Sequence, residues 1–528
     1  MVHREKESMA RESGLESADV QLVASFEQAQ AEFDPDTPFR ILILGDWSGR
    51  SNRNLSASSA ELFGWRPLLV DRDNLDLLIA KLGAKLHLPL ADGSLSLTIT
   101  FNQLADFHPD RIFERLEIFQ ALRGTRERLQ NPKTFNAAAQ EVRKWANIKS
   151  SESRPQQITS DAPSSDRAAS SGGGLLDQIL EAAPSEPRTP VSRGKPVSPE
   201  ISAFVREAVK PYLISVDEME EEQLLAAVDS AVGAQMAAIL HNRDFQALES
   251  AWRALDFLVS RLETGSEMKV YLLDISEEEF ERDLGSTEDL ESTAAFKLMV
   301  QDTVGTSGGL PWAAIAANYV FDPESQSIRN LERISHIAKS ARAPFIAAAN
   351  SQLLQGDSFP EVAELQTPNP EASDAWDSLV RSSDACYLGL ALPRFLLRLP
   401  YGSATEPAER FNFEEMPEDI KARHESYLWG NPAFAVVYLL GKAFSESGWN
   451  FRPGDLQEIE GLPLHVSSCE GETEIKPCAE VLMTIRAAEE IINRGLMPLI
   501  SMKETDTVRV GIFQSVAGTR LAGRWDQA

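Results

Sequence analysis

Seven short apolar stretches follow one another in the second half of the chain, and patterns typical of helices separate several of them. They are MKVYLLDI, AAIAANYVF, APFIAAAN, ACYLGLAL, EVLMTI, LMPLISM and VRVGIF. Before them, FVREAVKPYL and the long run LLAAVDSAVGAQMAAILHNRDFQALESAWRALDFLV have the composition of helices. Apolar strands that alternate with helices are typical of a sheet covered on both faces. The pattern therefore predicts an α/β (α+β) fold with mixed sheets and flanking helices.

A smaller block of about residues 38–146 has the same character. It opens with the apolar strand candidate in PFRILILGDWSGR, and LSLTITF then alternates apolar and polar residues, which predicts a strand with one exposed side. In DFHPDRIFERLEIFQALRGTRERL, the residues Ile112, Leu116 and Phe119 recur at helical spacing, and Pro109 suits a first helical turn. This block is predicted to be a small α/β unit.

The two blocks are separated by a stretch that is rich in Ser, Pro and Gly and includes SSESRPQQITSDAPSSDRAASSGGG. Such a composition is typical of a flexible linker. A short apolar island at 175–180, LLDQIL, is a candidate docking helix within it. We expect four parts: a mobile N-terminal arm (1–37), the small α/β domain (38–146), the linker (147–200) and a large α/β domain (201–528).

Charge and composition exclude several classes of function. The net charge is −29, which argues against a nucleic-acid partner. The three cysteines are too few for a disulfide framework and favour a reducing compartment. The N-terminus has no apolar signal region, and no apolar run reaches the length of about 18 residues that a membrane span needs. We therefore expect a cytoplasmic protein without direct membrane insertion.

The segment GDWSGRSNRN follows an apolar strand candidate, as a phosphate-binding loop would. A Walker loop requires Gly-x4-Gly-Lys-Ser/Thr, and this segment has neither that spacing nor the lysine. Gly45 and Gly49 do not form a GxGxxG dinucleotide motif either. A central strand that ends in a Gly-Asp turn is the better interpretation.

The string GTSGG fits the GxSxG pattern of a hydrolase with Ser307 as the nucleophile. That motif requires a strained strand-to-helix turn, whereas Leu310 and Pro311 follow here at once. His336, His424 and His465 lie downstream, but among 80 acidic residues a third triad member is uninformative. A glycine-rich turn accounts for the string, and a hydrolase is kept only as a minor alternative.

Metal and cofactor sites are not predicted. The seven histidines are at positions 3, 87, 108, 241, 336, 424 and 465. None of them stands in the HxH, HxxxH or HExxH spacing of a zinc site. We expect no catalytic residue, no cofactor and no metal.

Two regions resemble one known family. PFRILILGDWSGR, RPLLVDRDNLDLLIAKLGAKLHLPL and the DFHPDRIFERL helix resemble the small sheath subunit of bacterial type VI secretion systems. From about 200 to 515 the chain resembles the large sheath subunit, with several uncommon strings in the family's order. These include LESAWRALDFLV, GTSGGLPWAAIAANYVFD, LPRFLLRLPYG, FNFEE, YLWGNPAF and KPCAEVLMTIRAAEE.

The resemblance implies a structural role and not an enzymatic one. A sheath protomer assembles into a helical tube around an inner tube and contracts to drive that tube into target cells. The implied partners are other sheath subunits, the inner tube protein, baseplate components and an AAA+ unfoldase. The structural or interface candidates carried over from the family motifs are Gly45, Asp46, Trp47, Arg50, Trp252, Arg253, Pro393, Arg394, Pro400, Tyr401, Gly402, Glu414, Trp429, Gly430 and Asn431.

The chain departs from the family pattern in two ways. The family usually keeps the small and large subunits as separate chains, whereas here they are fused through the linker. The large subunit also normally continues beyond the segment matching VRVGIFQS with a helical tail, so we expect a C-terminally shortened large domain. The alternative function is therefore a sheath-like adaptor or regulatory paralogue that binds sheath or baseplate components without polymerising.

Overall fold

The structure is a computed structural model of the 528-residue chain. It describes residues 34–89, 96–147, 199–209, 221–322, 324–350, 370–417, 420–469 and 472–527. Most of the predicted arm and linker, including the island at 175–180, lies outside the described residues.

The described strands range from two to eight residues in length. They are β1 (Phe39–Gly45), β2 (Leu68–Val70), β3 (Lys85–Pro89), β4 (Ser96–Thr100), β5 (Met268–Asp274), β6 (Ala314–Phe321), β7 (Phe345–Ala349), β8 (Leu388–Leu392), β9 (Phe395–Leu396), β10 (Trp429–Gly430), β11 (Glu458–Ile459), β12 (His465–Cys469), β13 (Glu472–Lys476), β14 (Met497–Ser501) and β15 (Val508–Val510).

Helices precede and separate these strands. They are α1 (Ser59–Leu62), α2 (Leu75–Leu82), α3 (Pro109–Arg115), α4 (Glu117–Gln130), α5 (Phe135–Asn147), α6 (Pro199–Val209), α7 (Glu221–Leu240), α8 (Arg243–Arg261), α9 (Glu277–Gly285), α10 (Ala294–Phe296), α11 (Ser325–Ala341), α12 (Pro370–Arg381), α13 (Ile420–Ser426), α14 (Pro432–Ser447) and α15 (Ile485–Asn493). A π-helical turn over Lys297–Gln301 follows α10.

A nine-stranded mixed sheet organises the described chain, in the order β11-β15-β14-β8-β7-β6-β1-β5-β2. The central strands are parallel, whereas β2 and β15 run antiparallel to their neighbours. The predicted α/β class with mixed sheets and flanking helices is confirmed. Two-stranded pairs β3–β4, β9–β10 and β12–β13 lie outside this sheet.

The N-terminal block contributes strands to the middle of the large sheet. Strand β1 pairs with β5 on one side and β6 on the other, in parallel register. Strand β2 pairs with the other edge of β5. Both strand partners of β5 therefore come from residues before the linker, and the two blocks share one sheet.

Side chains alternate between two apolar cores, one on each face of the sheet. Ile41 and Ile43 of β1 enter the core that also contains residues of α4, α7, α8 and α14. Leu42 and Leu44 enter the opposite core, which α9, α11 and α12 cover. The buried run in β1 is thus a strand covered on both faces, as its composition predicts.

One strand prediction is wrong. EVLMTI forms no strand, because Thr484 accepts a hydrogen bond from the backbone N–H of Ala487 and begins α15 at Ile485. Leu482, in the same string, is 57% exposed. The apolar composition of the stretch therefore does not mark a buried strand. The other six apolar stretches each contain a strand of the large sheet.

The helical prediction around Pro109 is confirmed with one refinement. Pro109 opens α3, and Ile112, Leu116 and Phe119 are buried on one side. The backbone is extended at Leu116, with φ −81° and ψ 131°, so that two helices replace one.

Helix α7 is long and apolar enough, by length and composition, to cross a membrane. Eight of its residues, among them Leu224, Val228 and Met236, are buried in the protein. The helix packs against α4 and α6, so its high hydropathy is that of a core helix.

Candidate assembly site at the junction of the two blocks

The turn after β1 is held by carboxylates from both blocks. Asp46 accepts hydrogen bonds from the backbone N–H groups of Arg50 and Ser51, which closes the GDWSGR turn on itself. Asp274, at the end of β5, accepts from the backbone N–H of Trp47 at 2.8 Å and from the Ser48 hydroxyl at 2.8 Å. Burial raises the pKa of Asp274 to about 6. The polar end of β1, next to Gly45, is therefore a docking point for the large block.

Two tryptophans join the family motifs across the junction. Trp47 and Trp252 are fully buried, with ring centroids 5.2 Å apart in an edge-to-face arrangement. The Trp252 indole N–H donates to the Trp47 carbonyl at 2.9 Å, and the Trp47 indole N–H donates to the Leu273 carbonyl at 3.1 Å. Both indole donors are thus satisfied, as buried tryptophans require. The GDW and ESAWR motifs therefore contact each other.

Arg50 forms an ion pair between the blocks. Its guanidinium binds Glu279 of α9 through two nitrogens, the shorter contact being 2.8 Å. Glu279 is buried and also accepts hydrogen bonds from the backbone N–H groups of Ala57 and Ser276. Burial alone would raise the pKa of Glu279, but Arg50 and these donors lower it below its usual value. The carboxylate is therefore held ionised at the junction.

A buried network of charges lies beneath the junction. Arg398 contacts Glu249 of α8 at 2.9 Å and Glu415 at 2.7 Å, and all three side chains are almost completely buried. Arg253 contacts Glu249 at 2.7 Å and the Tyr401 hydroxyl at 3.0 Å. Burial alone would raise the pKa of Glu415, but Arg398 lowers it to about 2. The two arginines and two carboxylates therefore neutralise each other.

The family motifs did not predict the central members of this network, Glu249, Arg398 and Glu415. A signal was present, because Arg398 interrupts the apolar run in LPRFLLRLPYG and a buried arginine requires acidic partners. Of the two glutamates in FNFEE, the motif predicts Glu414, whereas Glu415 is the one buried in the network.

Glu414 instead closes the turn after Pro400. Its carboxylate accepts from the backbone N–H of Ser403 at 2.9 Å and lies where a Cβ at position 402 would stand. Only glycine leaves that space free, which accounts for Gly402 in the LPYG string. The Pro400 carbonyl accepts from the Thr405 hydroxyl in the same turn.

The segment around Pro393 contacts the region before α15. The Leu392–Pro393 peptide is cis. Arg394 forms an ion pair with Glu480 at 2.5 Å, and His424 contacts the same carboxylate at 3.2 Å. Burial alone would raise the pKa of Glu480, but His424 and Arg394 lower it to about 2. This cluster connects three separate stretches of the large block.

The YLWGNPAF string forms the entry to α14. Trp429 and Gly430 are strand β10, which pairs with β9. Asn431 caps α14 by accepting from the backbone N–H of Ala433, and its amide donates to the Tyr319 carbonyl of β6 at 2.9 Å. The string therefore anchors a core helix to the large sheet.

Ser307 lies exposed on the GTSGG turn. Each histidine considered for a triad is hydrogen-bonded to another residue: His336 to Asp384, His424 to Glu480 and His465 to Tyr427. A Cβ at Gly309 would overlap the Thr303 carbonyl, so close backbone packing accounts for that glycine. This geometry gives the hydrolase alternative no support.

An open cleft of about 450 Å³ lies between α3 and the stretch 406–410. Its charged residues largely pair with one another: Glu114 contacts Arg410 at 2.8 Å, and Asp110 accepts from the backbone N–H groups of Glu409 and Arg410. Among the described residues, no group of three or more His, Cys, Asp or Glu side chains is arranged to hold a metal ion. The paired residues that line the cleft therefore form a further contact between the blocks.

Two family models match separate regions of the chain. Residues 222–517 match the family described as VipB: EvpB/VC_A0108, tail sheath N-terminal domain. Residues 16–157 match the family described as type VI secretion system, VipA, VC_A0107 or Hcp2. The chain belongs to the type VI secretion sheath family. The suspected fusion of a small and a large sheath subunit is confirmed.

A curated relative points the same way. The type VI secretion system sheath protein TssC1 of Pseudomonas aeruginosa is 35% identical over 308 residues, which cover 56% of this chain and 61% of that protein. The chain thus spans about three fifths of the length of this relative. The family is one of structural proteins, and the buried motif residues described above are consistent with an architectural role. Their predicted role at subunit interfaces stays a prediction.

Proposed function

We propose that this chain is a sheath protomer of a type VI secretion system, in which one polypeptide supplies both the small and the large subunit. The observation that carries the proposal is the position of β1. A strand from the block matching the small subunit lies between two strands of the block matching the large subunit. The fused chain therefore folds as one building block with a fixed ratio of the two parts.

The protomers assemble by contacts that do not close on themselves, which generates a helical tube. Strand addition between neighbours would lock such a lattice. Contraction is a switch between two packings of the lattice, with small free-energy differences summed over many subunits. The inner tube protein, baseplate components and an AAA+ unfoldase are the proposed partners, and the proposed location is the bacterial cytoplasm. No substrate is transformed in this scheme.

Electron microscopy of the purified protein tests the proposal. We expect tubes or curved sheets that form above a threshold concentration, either alone or after addition of the inner tube protein. Particles that remain single protomers under all these conditions, but bind assembled sheath or baseplate, would favour the adaptor alternative. A hydrolytic activity that Ser307→Ala removes would overturn the structural assignment.

A further inference from the structure

The large sheet ends on one side at β2, a strand of three residues. Only the edge of β2 that faces β5 has a strand partner among the described residues. Leu69, in the middle of β2, is 46% exposed and lies opposite Tyr271 of β5. We call the surface around it the β2 corner, formed by Arg40, Leu69, Lys269, Tyr271, Leu310 and Trp312.

Aromatic and cationic side chains stack across the β2 corner. The Arg40 guanidinium lies 4.1 Å from the Trp312 ring centroid and 4.8 Å from that of Tyr271. The two rings are 5.4 Å apart, edge to face. Arg40 also donates to the Leu310 carbonyl, and the Leu310 side chain is 43% exposed. Tyrosine and arginine beside exposed apolar groups are typical of binding hot spots, and the buried Trp312 supports them from below.

Two polar atoms at the β2 corner lack a hydrogen-bond partner. They are Nε of Arg40 and Nε1 of Trp312, and the Trp312 side chain is only 2% exposed. Burial lowers the pKa of Arg40 below its usual value, although Tyr271 opposes this. Buried donors without acceptors are unfavourable. Both atoms are buried within the chain itself, so they belong to its internal packing and not to the exposed surface.

The β2 corner contains cations without a carboxylate partner among the described residues, although the acidic residues Asp71 and Asp73 follow β2. Arg40 and Lys269 occupy paired positions on β1 and β5, and Arg66 and Arg72 flank β2. None of the four forms an ion pair with a carboxylate in the described part of the chain. A chain of net charge −29 repels its copies over most of its surface. Cations without carboxylate partners reduce this repulsion locally and favour contact with an acidic segment of another chain.

A simpler explanation for part of this pattern is protection of a sheet edge. Short strands, a proline and flanking charges keep edges from pairing, and β2 has all three, with Pro67 before it. That explanation does not account for the exposed apolar side chains of Leu69 and Leu310. Exposed apolar side chains beside unpaired cations are typical of a surface that another chain covers.

We propose that the β2 corner is a docking surface for a second copy of this chain, which presents an acidic and apolar segment to Arg40, Lys269 and Leu69. The inference rests on the proposed function, since it names a contact within the assembly. Carboxylates of the incoming copy pair with the cations, its apolar side chains cover Leu69 and Leu310, and its backbone can pair with the open edge of β2.

The double variant Leu69→Asp with Lys269→Glu tests the proposal. The matched control is Leu482→Asp with Lys503→Glu, which makes the same chemical changes at exposed positions on another part of the surface. Self-association is measured by sedimentation velocity and electron microscopy at low and high salt. We expect the corner variant to need at least ten times more protein for half-maximal assembly, while the control assembles like the wild type.

A photo-crosslinking residue in place of Leu69 provides a second measurement that does not depend on the charge changes. In assembled protein it should form a covalent dimer, and excess salt should reduce the yield. Corner variants that assemble like the control, or a crosslinker that captures no second copy in formed tubes, would overturn the inference and leave the proposed function standing. If the wild type itself never assembles, the proposed function fails and this inference with it.

Discussion

The junction between the two blocks and the β2 corner are built from the same residue types but differ in how completely their polar groups are paired. At the junction, Trp252 donates to the Trp47 carbonyl and Arg50 binds Glu279. At the β2 corner, Arg40 stacks on Trp312, yet both keep a buried donor without an acceptor. The junction is completed by contacts within the chain, whereas the β2 corner keeps the exposed Leu69 and cations without a carboxylate partner in the described ranges, as the proposed docking surface requires.

This difference indicates which surface of a fused subunit is available for an assembly contact. Family motifs such as GDWSGR and ESAWR lie at the junction, where their residues make contacts within one chain. The proposed docking surface rests instead on exposed apolar residues and unpaired cations that belong to no family motif. Substitutions at the junction should therefore act on stability, and those at the β2 corner on assembly.

The largest expected effect comes from expressing residues 199–528 without the N-terminal block. Strand β5 would lose both of its strand partners, and β6 would lose one. We expect this fragment to be unfolded or aggregated, and co-expression of residues 34–147 to restore a soluble complex. Circular dichroism and size-exclusion chromatography measure both outcomes. A fragment that folds cooperatively alone would show that the blocks are independent.

The next largest effect is expected for Arg398→Ala. Two buried carboxylates, Glu249 and Glu415, would lose the buried cation that they share, which costs about 3–5 kcal/mol. The matched control Arg381→Ala removes an exposed i,i+4 pair with Asp377 and should change the free energy of unfolding by less than about 0.5 kcal/mol. Urea denaturation measures both values. Equal effects would contradict the buried network.

Acid should weaken the same network. The pKa of Glu415 is lowered from 4.5 to about 2 in the folded protein, so the unfolded chain binds more protons between these values. Stability from this group is fully present above about pH 4.5 and is lost as the pH falls through about 2, by roughly 3 kcal/mol. Glu415→Gln should therefore flatten the pH dependence of unfolding in this range. An unchanged acid limb in urea titrations at several pH values would refute this.

The smallest expected effect is the difference in stability between one substitution at the junction and one at the β2 corner. Trp252→Phe removes an indole donor that is bonded to the Trp47 carbonyl, whereas Trp312→Phe removes a donor without a partner. The loss of ring volume is the same in both variants. We therefore expect Trp252→Phe to lower the free energy of unfolding by about 1–2 kcal/mol more than Trp312→Phe does. Thermal unfolding of both variants measures the difference, and the reverse order would undermine the comparison.

Much of the local structure can be predicted from the sequence because buried parallel strands have continuous apolar composition. β1, β5 and β6 follow directly from ILIL, VYLL and AIAAN. EVLMTI shows the limit, since an apolar run before a capping threonine can also be an exposed approach to a helix. Composition alone does not distinguish the two.

The position of β1 between β5 and β6 could not be predicted from local patterns. Strand order depends on contacts between residues more than 200 positions apart in the chain, and periodicity carries no information about which strand pairs with which. Likewise, the network around Arg398 requires knowing that Glu249 and Glu415 meet in space. The motifs identified the family, and the structure supplies the contacts.

Cleavage of the linker in the folded protein tests the central claim most directly. A protease site inserted between residues 148 and 198 allows the chain to be cut after purification, and the products are examined by size-exclusion chromatography and electron microscopy. Because β1 is held between β5 and β6, we predict that the two fragments stay together as one particle, with an unchanged melting temperature and unchanged assembly. Fragments that separate on the column would contradict a shared sheet.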